Sequence, residues 1–232
     1  MIAIKQEGNP MNPHLREIKA AALAMLIIVG LCVNSSRAHA AETETLVVAG
    51  GCFWCVESDF EQVKGVIAAE SGFTGGTVEN PSYKQVTAGG TGHFEAVQIT
   101  FDPAQVSRAQ LLHLFLRSVD PTDAGGQFCD RGDSYRTAIF VTDPAQKQIA
   151  QSAITKAQAA LGQDIVTPIL DAQTFYPAEA YHQDYHKSSE IVLTRFGPRT
   201  KAKAYKLYRD ACGRDARVQE LWGKDAPFTS GS

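Results

Sequence analysis

The spacing of apolar and polar residues divides the chain into strands and helices. His93 to Phe101 alternates between the two types, which predicts a strand that ends at Asp102-Pro103. Near the start of the folded region, the short apolar run Leu46 to Ala49 leads into Gly50-Gly51. An amphipathic stretch, Val56 to Val66, follows it. This second pattern is typical of a strand, a glycine turn and a helix.

Further elements follow in the same alternating order. Ser107 is placed to cap one helix, and Pro168 indicates that the strand around it lies at an edge of the sheet. The pattern predicts a strand at 66–73, a helical turn at 83–86, a helix after 107, a strand at 135–142, a helix at 144–161, a strand at 165–170 and a helix at 178–187. This order predicts an α+β two-layer sandwich with a mixed sheet, a ferredoxin-like βαβ-βαβ core and a C-terminal extension.

The N-terminal segment has the pattern of a targeting signal. Arg16 and Lys19 precede an apolar run at 20–33, and Ala38-His39-Ala40 follows as a small-residue cleavage site. We therefore expect residues 1–40 to be a secretory signal peptide and the protein to be exported, to the periplasm in a bacterium. An uncleaved membrane anchor is the alternative. Residues 41–232 are then expected to form one catalytic domain, with a core at about 45–190 and a tail at about 191–232.

Charge and cysteine content narrow the function classes. The formal net charge of −3 gives no indication of a nucleic-acid or acidic-membrane partner. Export implies an oxidising compartment, in which Cys52, Cys55, Cys129 and Cys212 remain after cleavage. Four cysteines are compatible with two structural disulfides or with a redox function.

Cys52 is the first candidate nucleophile. It lies at the predicted start of a helix, where unpaired N–H groups and the helix dipole are expected to lower the pKa of the thiol. A buried, inert cysteine is the alternative. Cys55 completes a C-x-x-C pair, which in thioredoxin-like proteins exchanges disulfides. The intervening Phe53 and Trp54 are large aromatics, which instead favour the wall of a pocket for an apolar group.

Three other polar residues are candidates for chemistry. Glu95 shares a strand face with apolar residues, so we expect either a raised pKa or a partner, unless the carboxyl reaches solvent at the strand end. His182 and His186 have a spacing that can bind a metal on a helix, although hydrogen bonding behind a pocket is favoured. A zinc site that uses Cys129 and Cys212 lacks a second close cysteine pair, so no metal is expected.

The motifs resemble those of the A-type peptide methionine sulfoxide reductases. The similarity covers about residues 45–190, and many relatives have Asn at the position of Cys129 and Thr-Gln at that of Asp133-Ser134. The matching segments are Gly50-Gly51-Cys52-Phe53-Trp54-Cys55-Val56-Glu57, Gly75-Gly76 with Asn80-Pro81-Ser82-Tyr83, Gly90-Thr91-Gly92-His93-Phe94-Glu95-Ala96-Val97, Asp130-Arg131-Gly132 with Tyr135-Arg136, and Phe175-Tyr176 with Glu179, Tyr181-His182-Gln183 and Tyr185.

This resemblance implies an enzyme that reduces methionine S-sulfoxide, free or in proteins, and so repairs oxidative damage. It implies that Cys52 attacks the sulfoxide sulfur and that Glu95 supplies a proton to the oxygen. The hydroxyls of Tyr83 and Tyr135 would bind that oxygen. Phe53 and Trp54 would receive the S-methyl group, and Asp130 would position its loop or a water.

The resemblance also implies a cysteine that resolves the sulfenic acid formed on Cys52. Cys212, in a tail that we expect to be flexible, is the first candidate, followed by Cys55 and Cys129. No bound cofactor is expected, since thioredoxin or an equivalent external dithiol would reduce the resulting disulfide. We expect a monomer. The competing classes are a thiol-disulfide exchanger, a binding module with structural disulfides and a zinc protein.

Overall fold

The computed structural model describes residues 42–229. The predicted signal peptide at 1–40 lies outside this range. Between residues 42 and 229, no helix combines the length and the apolar character that a bilayer crossing requires.

A six-stranded sheet forms the centre of the fold. Its strands are β1 (Glu44–Gly50), β2 (Val66–Thr74), β3 (Phe94–Phe101), β6 (Thr137–Val141), β7 (Ile169–Asp171) and β8 (Tyr176–Pro177), in the order β7-β6-β1-β3-β2-β8. Neighbours are antiparallel except β6 and β7, so the sheet is mixed as predicted. The inner order β6-β1-β3-β2 is that of a ferredoxin-like βαβ-βαβ core, and the predicted fold class is confirmed.

The helices begin and end where the sequence supplies caps. The helices of the core are α1 (Phe53–Glu61), α2 (Tyr83–Ala88), α3 (Arg108–Ser118) and α4 (Pro144–Leu161). Ser82 and Gln85 form a capping box at α2, Ser107 and Gln110 form another at α3, and Asp143 caps α4. Because Phe53 and not Val56 is the first helical residue, the first turn of α1 directly follows Cys52.

The two faces of the sheet are buried to different extents. The larger hydrophobic cluster packs Leu46 and Val48 of β1 with α1, α3 and α4. The opposite face holds a smaller cluster around Ala49, Phe94 and Phe140, with Phe175 packed against it. Alternate residues of β1 therefore serve two cores, which fixes the register of this central strand.

The C-terminal region is folded, so the expectation of a flexible tail is wrong. It contains a hairpin of β9 (Ile191–Thr194) and β10 (Gly197–Thr200), then α5 (Lys201–Cys212) and α6 (Arg214–Trp222). Val218 and Trp222 join the main core, while Tyr205 packs against Cys55. Burial of these apolar side chains holds the tail on the domain.

The predicted helix at 178–187 is also wrong. Only a 3₁₀ turn at Ala180–His182 forms. Asp184 has φ of 54°, which a right-handed helix excludes. The side chain of Gln183 accepts from the N–H of Ser71 at 3.0 Å and donates to its C=O at 2.8 Å. These tertiary contacts with β2 replace the local helical hydrogen bonds.

Two strands are shorter than the alternation predicts. The strand predicted at 165–170 is confined to β7, an edge strand that starts after Pro168. The strand predicted at 135–142 starts at Thr137, because Tyr135 ends a 3₁₀ turn at Asp133–Tyr135. Two short strands before this turn, β4 (Gly126–Gln127) and β5 (Asp130–Arg131), shape the loop that carries Cys129.

Candidate active site

The turn between β1 and α1 places Cys52 at the N-cap of the helix. Gly51 has φ of 78°, and a Cβ there would lie 2.5 Å from Cβ of Gln127, so only glycine fits this turn. Gln127 is itself fixed by hydrogen bonds of 2.8 Å to the backbone N–H and C=O of Asp120. The nucleophile turn and the loop around residues 120–137 are therefore packed on each other.

One cavity of about 370 Å³ lies beside this turn. Ten of the residues that the sequence singles out for chemistry line it, although they come from distant parts of the chain, whereas His182 and His186 do not. The ten are Cys52, Phe53, Trp54, Cys55, Tyr83, Glu95, Cys129, Asp130, Tyr135 and Cys212.

Glu95 is the buried acid of the cavity. Its side chain is 1% exposed, and its Oε2 accepts a hydrogen bond from the N–H of Phe53 at 3.0 Å. The other oxygen, Oε1, has no hydrogen-bond partner among the described residues. Burial raises the pKa of Glu95 to about 8, against the opposing effect of the Phe53 N–H. The expected raised pKa is confirmed, and at neutral pH the carboxyl carries a proton.

Two phenols line the same cavity. Burial raises the pKa of both Tyr83 and Tyr135, so both hydroxyls keep their protons at neutral pH and can donate. Tyr83 is positioned at the start of α2, where its N–H donates to Oε1 of Glu179 at 3.2 Å. Together with protonated Glu95, the phenols give the cavity three neutral donors for an oxygen atom.

Aromatic rings form the apolar side of the cavity. Trp54 stacks on Tyr185 with ring centroids 3.8 Å apart, and Phe53 lies 6.1 Å from Tyr83. His182 packs between these rings, 5.2 Å from Phe53 and 4.3 Å from Tyr83. Neither nitrogen of His182 has a hydrogen-bond partner among the described residues, so the expected hydrogen bonding is wrong for His182, whereas Nε2 of His186 lies 3.0 Å from Oε2 of Glu61. Burial lowers the pKa of His182 to about 4, which leaves a neutral ring that packs as an aromatic.

The four cysteines of the described region fall into two pairs. Cys129 and Cys212 form a disulfide, with Cα atoms 4.9 Å apart, while Cys52 and Cys55 are free thiols. Cys129 is exposed and Cys212 is partly buried at the end of α5. The cavity thus holds a dithiol and a disulfide together.

Sequence comparison assigns the family. The family described as peptide methionine sulfoxide reductase matches residues 44–212. The chain belongs to this family. It is 49% identical over 205 residues to peptide methionine sulfoxide reductase MsrA 2 of Caulobacter vibrioides, which covers 88% of this chain and 95% of that protein. It is 45% identical over 187 residues to MsrA of Bacillus licheniformis, covering 80% and 97%.

Solved structures of the reductase family show the same fold. Methionine sulfoxide reductase A of Corynebacterium diphtheriae has a TM-score of 0.56 and 34% identity, covering 64% of this chain and 76% of that one. Mxr1 of Saccharomyces cerevisiae in its reduced form has a TM-score of 0.60 and 28% identity, covering 63% and 85%.

The tail of this reductase adds site residues that the sequence did not indicate. Arg214 is 2% exposed, donates to the C=O of Gly50 at 3.2 Å and stacks on Phe128 at 4.9 Å. Arg209 donates to Oδ1 of Asp59 at 2.7 Å. Neither arginine lies in a motif of the family, and only their nearness to Cys212 in sequence was a signal. Further lining residues from the tail and from 128–185 are Phe128, Tyr185, Leu193, Thr194, Arg195, Tyr205 and Tyr208.

The pKa values of the two free thiols of the reductase are shifted in opposite directions. A hydrogen bond with Cys55, burial and the charges of Glu95 and Asp130 raise the pKa of Cys52. The same hydrogen bond, with Arg214 and Arg209, lowers the pKa of Cys55. The expectation that the helix N-terminus lowers the pKa of Cys52 is therefore wrong in this state, because the hydrogen bond with Cys55 and burial raise that pKa.

Cys55→Ala should lower the pKa of Cys52, because it removes the thiol that competes for the thiolate. Within residues 42–229 only these two cysteines are free in the disulfide form, and peptide mass spectrometry after iodoacetamide labelling assigns the label to Cys52. We expect the midpoint of the labelling rate against pH to shift downward in the variant. Unfolded protein provides the reference rate, and an unchanged midpoint would contradict the effect of Cys55 on the pKa of Cys52.

Proposed function

We propose that this protein reduces the S epimer of methionine sulfoxide, free and in proteins, to methionine and thereby repairs oxidised proteins. The observation that carries the proposal is the single cavity in which Cys52 faces protonated Glu95 and the hydroxyls of Tyr83 and Tyr135. Reduction of a methyl sulfoxide requires a nucleophile for the sulfur, a proton for the oxygen and an apolar wall for the methyl group.

The first half-reaction transfers oxygen to Cys52. The sulfur of Cys52 forms a bond to the sulfoxide sulfur, and the thiolate of Cys55 accepts the Cys52 proton. Glu95 donates its proton to the sulfoxide oxygen, while Tyr83 and Tyr135 donate hydrogen bonds to it. The resulting hydroxyl moves to Cys52 as the bond between the two sulfurs breaks. Methionine leaves, reduced by two electrons, and Cys52 is left as sulfenic acid.

The second half-reaction removes the oxygen as water. The thiol of Cys212 attacks the sulfenic sulfur of Cys52, and a disulfide between them replaces the S–OH bond. The thiol of Cys129 then attacks Cys212, which releases Cys52 as a thiol and forms the Cys129–Cys212 disulfide. Cys55 remains the alternative resolving thiol. Asp130 is proposed to position this loop through its place beside Cys129.

An external dithiol then closes the cycle. Thioredoxin or an exported equivalent is the proposed reductant, since Cys129 is exposed and open to attack by another thiol. We propose no bound metal or organic cofactor, because every step uses side chains of the cavity. The leader pattern at 1–40 supports export to the periplasm, and the acting form is proposed to be a monomer.

The proposal is tested on separated S and R epimers of methionine sulfoxide, with dithiothreitol as reductant. The S epimer should be turned over and the R epimer should not. Cys52→Ser should abolish turnover, because the hydroxyl of serine is not ionised near neutral pH. A protein that reduces insulin disulfides but neither epimer would instead be a thiol-disulfide exchanger.

Glu95→Gln should slow sulfenic acid formation about 100-fold, because an amide does not transfer a proton. In the wild type the protonated form should predominate below about pH 8 and be lost above it. The infrared band of the protonated Glu95 carboxyl, which Glu95→Gln lacks, reports this titration. Glu57→Gln is the matched control, since Glu57 is buried, has a pKa raised to about 7 and lies outside the cavity. Equal rates in wild type and Glu95→Gln would remove the acid role.

Cys212→Ser should retain turnover with dithiothreitol, which reduces the sulfenic acid directly, and lose turnover with thioredoxin. Cys129→Ser should accumulate a disulfide between Cys52 and Cys212, detectable by mass spectrometry after one turnover. If Cys212→Ser keeps both activities, the resolving thiol is Cys55 or Cys129 instead.

A further inference from the structure

The hairpin of β9 and β10 carries an exposed apolar face. Leu193 is 85% exposed and Ile191 is 72% exposed, the highest values for large apolar side chains within residues 42–229. The two residues lie two positions apart on β9, so their side chains point to the same side. Val192 and Thr194, which alternate with them, are half-buried.

The backbone of β9 also has an open edge. Within the described residues β10 is the only strand that pairs with β9. Leu193 lies opposite Pro198 on β10. Because Pro198 has no N–H to donate, the two residues form a non-hydrogen-bonded pair of the antiparallel ladder. The N–H and C=O of Leu193 therefore point away from β10, and those of Ile191, two residues earlier, point the same way.

This edge is continuous with the catalytic cavity. Leu193, Thr194 and Arg195 line the cavity that contains Cys52. Arg195 is held at the rim by its guanidinium, which lies 4.9 Å from the ring of Phe196 and 5.1 Å from that of Tyr208.

We propose that β9 is the docking edge for an extended segment of the oxidised polypeptide substrate. The segment pairs with the outward N–H and C=O groups of Ile191 and Leu193 and covers their apolar side chains. Its methionine sulfoxide side chain turns into the cavity toward Cys52. This inference rests on the proposed function and adds to it a site in the tail that contacts the backbone of a peptide substrate.

Ile191→Asp should raise KM for an oxidised decapeptide about fivefold and leave kcat unchanged, because Ile191 lies outside the cavity and the change removes an apolar contact at the edge. The same variant should reduce free methionine S-sulfoxide, with dithiothreitol, at the wild-type rate. Ile67→Asp is the matched control, since Ile67 is 59% exposed and lies outside the cavity. It should change neither substrate's kinetics.

Backbone pairing gives a second readout on the wild-type enzyme. Decapeptides carrying one N-methyl group are compared, with the methyl placed at successive positions around the methionine sulfoxide. Only alternate N–H groups of a paired strand face β9, so KM should rise at every second position and stay unchanged between them. A uniform effect of all N-methyl groups would overturn strand pairing.

Other outcomes separate the occupants of the edge. If Ile191→Asp impairs turnover only with thioredoxin as reductant, the edge binds the reductant and the proposal is wrong. If the peptide and free sulfoxide lose activity equally, Ile191 supports the cavity and is not a docking residue. If the wild type reduces neither substrate, the proposed function itself has failed, a result distinct from either of these.

Discussion

The hydrogen bond from the N–H of Phe53 to Oε2 of Glu95 connects the turn that carries the nucleophile Cys52 to the buried acid. Phe53 is the first residue of α1 and follows Cys52, while Glu95 lies in β3, the neighbour of β1. An unpaired N–H at a helix start is normally available for a substrate or an anion. Here it holds one carboxyl oxygen and leaves the other facing the cavity. The geometry of nucleophile and acid thus depends on the pairing of β1 with β3, a property of the whole sheet.

Burial and charge shift the pKa values of the acid and of Cys55 in opposite directions. Burial keeps the proton on Glu95 near neutral pH, so the carboxyl is ready to donate. The hydrogen bond with Cys52 and the charges of Arg214 and Arg209 favour a thiolate at Cys55. An acid that holds a proton and a thiolate that can accept one are both needed for oxygen transfer. The sheet supplies the first environment, and the C-terminal helices supply the second.

Local patterns predicted the parts of the fold that are set locally. The alternation of 93–101, the caps at Ser107 and the glycine turn before Cys52 appear where expected, because each is decided by neighbouring residues. The helix expected at 178–187 does not form, because the side chain of Gln183 hydrogen-bonds to the backbone of Ser71, which is distant in sequence. The prediction of a lowered pKa for Cys52 was wrong because a hydrogen bond with Cys55, burial and the charges of Glu95 and Asp130 raise it. Eight of the site residues were found through family motifs, and Cys129 and Cys212 were found as the other cysteines that follow the leader. The two arginines and Leu193 lie in the tail, which carries none of those motifs.

The tail therefore contributes more than a cysteine. Arg214 follows Cys212 and Gly213, and its guanidinium reaches both the C=O of Gly50 and the ring of Phe128. Gly50 precedes the nucleophile turn and Phe128 precedes Cys129, so one buried side chain ties together three segments that carry cysteines. A flexible tail would have to search for the sulfenic acid at an entropic cost, whereas a docked one presents its thiol at the cavity. The ion pair of Arg209 with buried Asp59 fixes the same helix, α5, on α1. Placement of the second thiol is thus a consequence of packing, in the same way that placement of Cys52 is a consequence of strand pairing.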